Sequence, residues 1–183
     1  MLIGADLRKP RVHHDFNLPN DVGLSSYLIN KASLDEITQQ TQFKHLDLIP
    51  SGPVPPNPSE LLSSNEFNDL IEKLKEKYDR IILDTSPIGL VTDARLLIDI
   101  SDVVLYVVRQ RYTVKNNFKK IIGEVITDKN KFGIIVNDIK QTKLSYGKYG
   151  YGYGYGYGYG YGYGQGYYGE EEKKKSIFSL RKK

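Results

Sequence analysis

The stretch Asp79-Arg80-Ile81-Ile82-Leu83-Asp84-Thr85-Ser86-Pro87 runs three apolar residues straight into a carboxylate and a chain break, which restricts the fold more than any other segment. A buried parallel strand ends this way. Both faces of such a strand are covered, so it reads as a continuous apolar run, and ligands gather outside its carboxyl end. Asp84 at that edge suits a hydrated Mg²⁺ beside phosphates, because Mg²⁺ prefers oxygen ligands and keeps several of its waters. It equally suits a plain cap on the following turn, and this stretch alone leaves both open.

The remaining pattern alternates strands with helices. Leu2-Ile3-Gly4-Ala5-Asp6 also closes on a carboxylate and is followed by the basic group Arg8-Lys9-Pro10-Arg11. Short helices are predicted over Val22 to Asn30 and over Ser33 to Gln40, with Ser33 and Asp35 as N-terminal caps. His45 to Pro50 reads as a brief strand, and Ser51 to Pro58 as a loop too rich in proline for helix or central strand. Asn57, Pro58 and Glu60 form the pattern of a capping box. The helix they open carries Phe67, Leu70, Ile71, Leu74 and Tyr78 on one stripe. Beyond Asp84, Thr92-Asp93 caps a helix through Ile100, Val103 to Val108 is a buried strand, Thr113 to Thr127 a helix, and Phe132 to Val136 a strand ending at Asn137-Asp138. Such alternation predicts an α/β parallel sheet flanked by helices, with Asp6, Asp84, Arg109 and Asn137 on one edge. Thr85 and Ser86 read as supports for Asp84, and His13 and His14 as an ordinary exposed pair.

Two carboxylates from two parallel strands, with Mg²⁺ between them and a substrate hydroxyl, are a minimal set for phosphoryl transfer. Three segments carry a family resemblance: Gly4-Ala5-Asp6-Leu7-Arg8-Lys9-Pro10; the loop Pro50-Ser51-Gly52 through Pro55-Pro56-Asn57-Pro58-Ser59-Glu60-Leu61-Leu62; and Tyr78 to Pro87 with Thr92-Asp93-Ala94. In register over residues 1 to about 140, they resemble the bacterial protein-tyrosine kinases of capsule and exopolysaccharide export. That resemblance implies a P-loop fold related to the partitioning and division-site ATPases, with ATP and Mg²⁺ as cofactors. It implies Asp6 and Asp84 as catalytic and metal-binding residues, from the Walker A′ and Walker B positions. It implies Asn137 as a nucleotide-binding residue that reads adenine, while the basic Arg8, Lys9 and Arg11 suit either phosphates, with Arg8 as the candidate nucleotide ligand, or a neighbouring subunit. The A′ pattern usually begins with an aspartate where this chain has Gly4, so either Asp6 takes both jobs or the incoming tyrosine loses its proton without a dedicated carboxylate. No G-x-x-x-x-G-K-[ST] occurs in the sequence. The expectation is therefore the C-terminal part of a kinase, lacking the phosphate-cradling loop and weakly active or inactive alone.

Composition changes sharply near residue 143. Of fifteen tyrosines and seventeen glycines, eleven of each lie between Tyr146 and Gly169. The predicted organisation is a partial kinase domain over 1–143 and a disordered Tyr/Gly-rich tail with a basic end over 144–183, because alternating glycine raises the ordering entropy and no aliphatic side chain offsets it. Tyr146, Tyr149, Tyr151, Tyr153, Tyr155, Tyr157, Tyr159, Tyr161, Tyr163, Tyr167 and Tyr168 are the candidate phospho-acceptors. Filling all of them would add roughly 16 to 22 negative charges. The bland alternative is a sticky low-complexity linker.

The formal charge of +4 does not make a nucleic-acid binder, and the absence of cysteine excludes disulfides and thiolate metal sites. No apolar run approaches the roughly 20 residues of a membrane span. Lys173 to Lys175 and Arg181 to Lys183, around Ile177, Phe178 and Leu180, suit either a solvated terminus or an anionic membrane surface. The resemblance further implies neighbouring kinase subunits in a ring-like homo-oligomer, a membrane chain-length regulator that acts as activator, and a cytoplasmic location at the inner face of the bacterial inner membrane. Two other readings compete: a non-catalytic interaction and substrate module whose tail is the regulated element, and a partitioning-type ATPase.

Overall fold

Three strands built from the two carboxylate-closed runs and the proline-ended one lie side by side. In a computed structural model describing residues 1–89, 92–125 and 131–139, β1 (Leu2–Gly4) runs parallel to both β3 (Asp47–Ile49) and β4 (Ile82–Asp84). Leu2 faces Leu48 on one side and Ile82 on the other, and Gly4 is level with Asp84. A two-residue strand β2 (Gln39–Gln40) adds antiparallel to β3, giving the order β2-β3-β1-β4. β5 (Val103–Arg109) and β6 (Lys131–Asn137) form a separate parallel pair. All described residues fall in the unit Met1–Gln141.

The helices are α1 (Val12–Asp15), α2 (Leu24–Leu28), α3 (Leu34–Ile37), α4 (Pro58–Leu62), α5 (Asn65–Lys75), α6 (Asp93–Ile98) and α7 (Lys115–Val125). α5 shows most directly how sequence makes a core. Phe67, Leu70, Ile71 and Leu74 recur at three- and four-residue spacing and are all buried, against Ile3, Leu7, Leu24 and Ile49 among others. Each such side chain contributes about 1.5–3 kcal/mol on leaving water. The Ser64 side chain caps the helix by accepting the Phe67 N–H at 3.2 Å, while Lys73 and Lys75 suit the negative end of its dipole. A smaller core holds Ile98, Ile121 and Val125 with Val104, Tyr106 and Phe132.

Several expectations are corrected. β4 and β5 are not covered on both faces: Ile82 is 58% exposed and Leu105 59%, so one face of each strand lies open among the described residues. Gln39-Gln40 extends a sheet rather than a helix, since α3 stops at Ile37 and Thr38 takes an extended backbone. The helix expected from Pro58 onward breaks at Ser63-Ser64 into α4 and α5. The Asn57 capping box does not form; its amide donates to the Glu60 carboxylate at 2.7 Å instead. The box at the start of α3 does form, between Ser33 and Glu36. Tyr78 lies past the end of α5, and its hydroxyl donates to Asp47 at 2.7 Å. His13 is buried in α1 rather than exposed, its ring 4.0 Å from that of His14.

Candidate functional site

The site forms where β1 and β4 end together. Their parallel register brings Gly4 level with Asp84, and the chain continues from β1 with the Ala5 N–H donating to the Asp84 carbonyl at 2.7 Å. Asp6 follows and is buried, with its carboxylate accepting the backbone N–H groups of Arg8 at 3.2 Å and Lys9 at 3.0 Å. Such a turn helps fix the side chain through its own following backbone. Burial still raises the Asp6 carboxyl above its ordinary value, outweighing those two hydrogen bonds, and Asp93 adds repulsion.

Asp84 is pushed further, up to about 6, first by desolvation and then by the charges of Asp6 and Asp15. The residue has surface open to solvent at the sheet edge, yet protein crowds its carboxyl on the inner side. The two carboxylates therefore share one electrostatic environment. Neutralising that environment is what a divalent cation does. The donor set fits a Mg²⁺ that keeps most of its shell as water and phosphate oxygen. Among the described residues no group of three or more His, Cys, Asp or Glu side chains converges on a point, so Asp6 and Asp84 would carry such an ion without a third carboxylate.

The phosphates of a nucleotide fit less well. Arg8, one of the two expected nucleotide ligands, is engaged elsewhere: its Nε lies 2.5 Å from one Asp93 oxygen and its Nη2 3.0 Å from the other. Asp93 is only 2% exposed, also accepts the Ser59 hydroxyl at 2.6 Å, and is held below the ordinary carboxylate range by these bonds, Arg8 first. Sequence pattern makes Asp93 a helix cap; in the fold it clamps the β1 loop, α4 and α6 together. The signal for that role is weak, because charge alone does not reveal a partner 85 residues away. Asn137, the other expected ligand, ends β6 and is level with Arg109, with its side-chain oxygen accepting the Asp138 N–H at 2.8 Å. Arg109 pairs with Asp138 at 2.9 Å. The four strand-end groups thus divide into Asp6 with Asp84 on one sheet and Arg109 with Asn137 on the other.

The proline-rich loop is fastened beside this edge. Asn20 binds Gly52 through both amide groups, at 2.9 and 2.8 Å, and the N–H groups of Leu24 and Ser25 donate to the carbonyls of Pro50 and Ser51. Gly52 has φ +79°, which favours glycine. A Cβ on Gly4 would lie 2.7 Å from the Ser51 hydroxyl and 3.1 Å from the Ser51 nitrogen, so the loop fills the space of any side chain at position 4. The hydroxyls of Ser51 and Ser86 are both buried with no hydrogen-bond partner among the described residues. The acceptor tyrosines from Tyr146 to Tyr168 and the basic C-terminus lie outside the described residues.

Comparison with known proteins places the chain in a family. Residues 9–134 match the AAA domain family. The tyrosine-protein kinase YwqD of Bacillus subtilis is 44% identical over 152 residues, covering 82% of this chain and 64% of the relative. The putative tyrosine-protein kinase CapB of Staphylococcus aureus is 36% identical over 153 residues, covering 82% of this chain and 67% of the relative. The chain thus spans about two thirds of the length of these two relatives. The solved kinase domain of the Escherichia coli tyrosine kinase ETK superposes with a TM-score of 0.71 at 33% identity, over 83% of this chain and 59% of that one. The Pyrococcus furiosus cell division ATPase MinD, at 22% identity and a TM-score of 0.58 over 74% of this chain and 57% of that one, shares the fold. By the family match and these relatives, the chain belongs to the bacterial tyrosine-protein kinases, built on a P-loop ATPase fold of the AAA type.

Proposed function

We propose that the chain forms the A′ and Walker B part, residues 1–143, of an ATP-dependent protein-tyrosine autokinase that regulates capsule or exopolysaccharide polymerisation and export, with residues 144–183 as its own phospho-acceptor tail. The observation that carries this reading is the pair Asp6 and Asp84 at the ends of adjacent parallel strands, each carboxyl raised by burial and by nearby negative charge. When bound, Mg²⁺ supplies the charge that offsets the transferring phosphoryl group. Asp6, held by the backbone of Arg8 and Lys9, and Asp84, held by the β1–β4 ladder, orient that ion. Asp6, the A′ carboxylate, would also accept the phenol proton of the incoming tyrosine. The membrane chain-length regulator, the neighbouring subunits and the inner face of the membrane belong to this same reading. Among the described residues no helix is long and apolar enough to cross a membrane.

A second reading has two observations in its favour. No G-x-x-x-x-G-K-[ST] motif lies in the chain and Arg8 is engaged with Asp93, so alone the chain acts as a substrate and interaction module rather than as an enzyme. Phosphotyrosine mass spectrometry after incubation with Mg-ATP separates the two. The expected result is label on the tail when full-length YwqD is added, and none on the chain alone. Label on the chain alone, abolished by Asp84→Ala, would give the chain its own activity. No label in either mixture would overturn the acceptor tail.

A further inference from the structure

Asp93 is a buried charge that the reaction proposed above does not use. Its side chain is 2% exposed, and its two oxygens accept Nε and Nη2 of Arg8. The Ser59 hydroxyl donates to Oδ1 of Asp93 at 2.6 Å and accepts from Arg8 Nη2 at 3.2 Å. A buried ion pair adds little net stability, because desolvation takes back most of the attraction and well-packed apolar side chains do as well. What a two-pronged arginine–carboxylate pair supplies is geometry, since it holds the guanidinium in one plane and one direction. Three elements meet there: the chain leaving β1, the first turn of α4 and the start of α6.

The direction of Arg8 bears on Asp6 through the backbone. The Arg8 N–H donates to Asp6 Oδ1 at 3.2 Å and the Lys9 N–H to the same oxygen at 3.0 Å, so the turn decides where the other oxygen points. The first distance is at the long end for an N–H···O bond, and a small displacement of Arg8 breaks it. Leu7, 1% exposed, anchors the turn to the larger core, and the Arg8 side chain ties it to α6. The same tie spans the two strand exits. The ladder between β1 and β4 reaches Gly4 and Asp84, the Ala5 N–H then meets the Asp84 carbonyl, and past that bond Arg8 and Asp93 join the chain leaving β1 to the helix that follows β4. Asp93 also occupies the guanidinium. An arginine released so close to Asp6 would offer its own positive charge to that carboxylate and compete with a cation for it.

We propose that Asp93, with Ser59, is a positioning residue for Asp6: through Arg8 it sets the direction in which Asp6 meets a divalent cation at the ends of β1 and β4. The role rests on the cation-site reading above. The test titrates the full chain with Mn²⁺ in place of Mg²⁺ and follows the paramagnetic broadening of the amide signals of residues 5–9 and 84–86 by nitrogen-15 NMR. Arg8→Met/Asp93→Leu removes one charge of each sign, and urea denaturation checks that it keeps its fold. It should need at least about tenfold more Mn²⁺ than the native chain for equal broadening, as is typical when an outer partner of a metal ligand is lost. Amide hydrogen exchange at Arg8 and Lys9 should quicken with it. Ser59→Ala leaves both charges paired and should need about threefold more Mn²⁺. An unchanged Mn²⁺ requirement in the folded double variant would overturn the role and leave Asp93 as a structural tie; should that variant fail to fold, an unchanged titration of Ser59→Ala overturns it. No broadening in the native chain, or broadening undiminished by Asp84→Asn, would overturn the cation site itself and the positioning with it.

Discussion

Replacing Asp84 with asparagine tests whether burial and the neighbouring charges of Asp6 and Asp15 raise its carboxyl. In the folded chain the Asp84 carboxyl is raised from 3.8 to about 6 by desolvation and by Asp6 and Asp15. A group held above its unfolded value favours its protonated form in the folded state. Its stabilising contribution is fully present below about 3.8 and is lost as pH rises through about 6. A shift of about two units would correspond to about 3 kcal/mol if nothing screened it. Asp84 has solvent-open surface at the sheet edge, so the realised effect is discounted to about 1 kcal/mol. The asparagine amide does not titrate. Urea denaturation of both proteins between about pH 4 and about pH 7.5 should therefore show the Asp84→Asn variant gaining about 1 kcal/mol on the native chain across that window. Millimolar Mg²⁺ should shrink the gain at the upper end, because the ion offsets the repulsion only when both carboxylates are present. Parallel pH profiles for the two proteins would refute the crowding and with it the shared cation site.

Arg8→Met strands Asp93 in the interior with Ser59 as its remaining hydrogen-bond donor; urea denaturation should show a loss of about 2–3 kcal/mol, largely recovered in Arg8→Met/Asp93→Leu. Gly4→Ala drives a methyl group against Ser51 and should cost about 1–3 kcal/mol, with Ser51→Ala relieving part of it and costing little alone, since it removes a hydroxyl that has no partner among the described residues. Phe67→Ala, emptying the centre of the larger core, should cost about 3–5 kcal/mol by the same assay and leave too little stability for a cooperative transition at elevated temperature.

The parts of this fold legible in sequence are those decided by neighbours a few residues away. The α5 stripe, the Ser33 cap of α3 and the strand endings at Gly4 and Asp84 are local patterns, and each appears within a residue or two of its expected place. The placement of Asp6 beside Asp84 needs only the rule that parallel strands share a carboxyl edge. What local pattern does not supply is partnership at long range. Arg8 reads as a phosphate ligand because it is basic and follows a strand, and only the fold reveals Asp93 opposite it. His13 reads as exposed because its neighbours are polar, while α1 turns it inward. Gln39 and Gln40 extend a sheet because the Asp47–Ile49 strand returns beside them.

The misreading of β4 and β5 has a different cause and points furthest. Ile81-Ile82-Leu83 and Val103 to Val108 have the continuous apolar character of strands covered on both faces, and the inference from pattern to buried strand is sound in general. Here Ile82, Val103, Leu105 and Val107 nevertheless meet water. A natural edge strand is normally blunted by lysine, proline or a bulge, and none of these interrupts Ile82–Asp84 or Val103–Val108. Those residues therefore describe an environment that the described part of this chain does not provide by itself. The same discrepancy occurs on both sides of α6 and on no other strand of the four-stranded sheet, where Ile3, Leu48 and Ile49 are fully buried. The mismatch extends to β6, where Ile134, Ile135 and Val136 are also exposed, so it follows the two-stranded sheet and the last strand of the larger one, each with a face left open among the described residues.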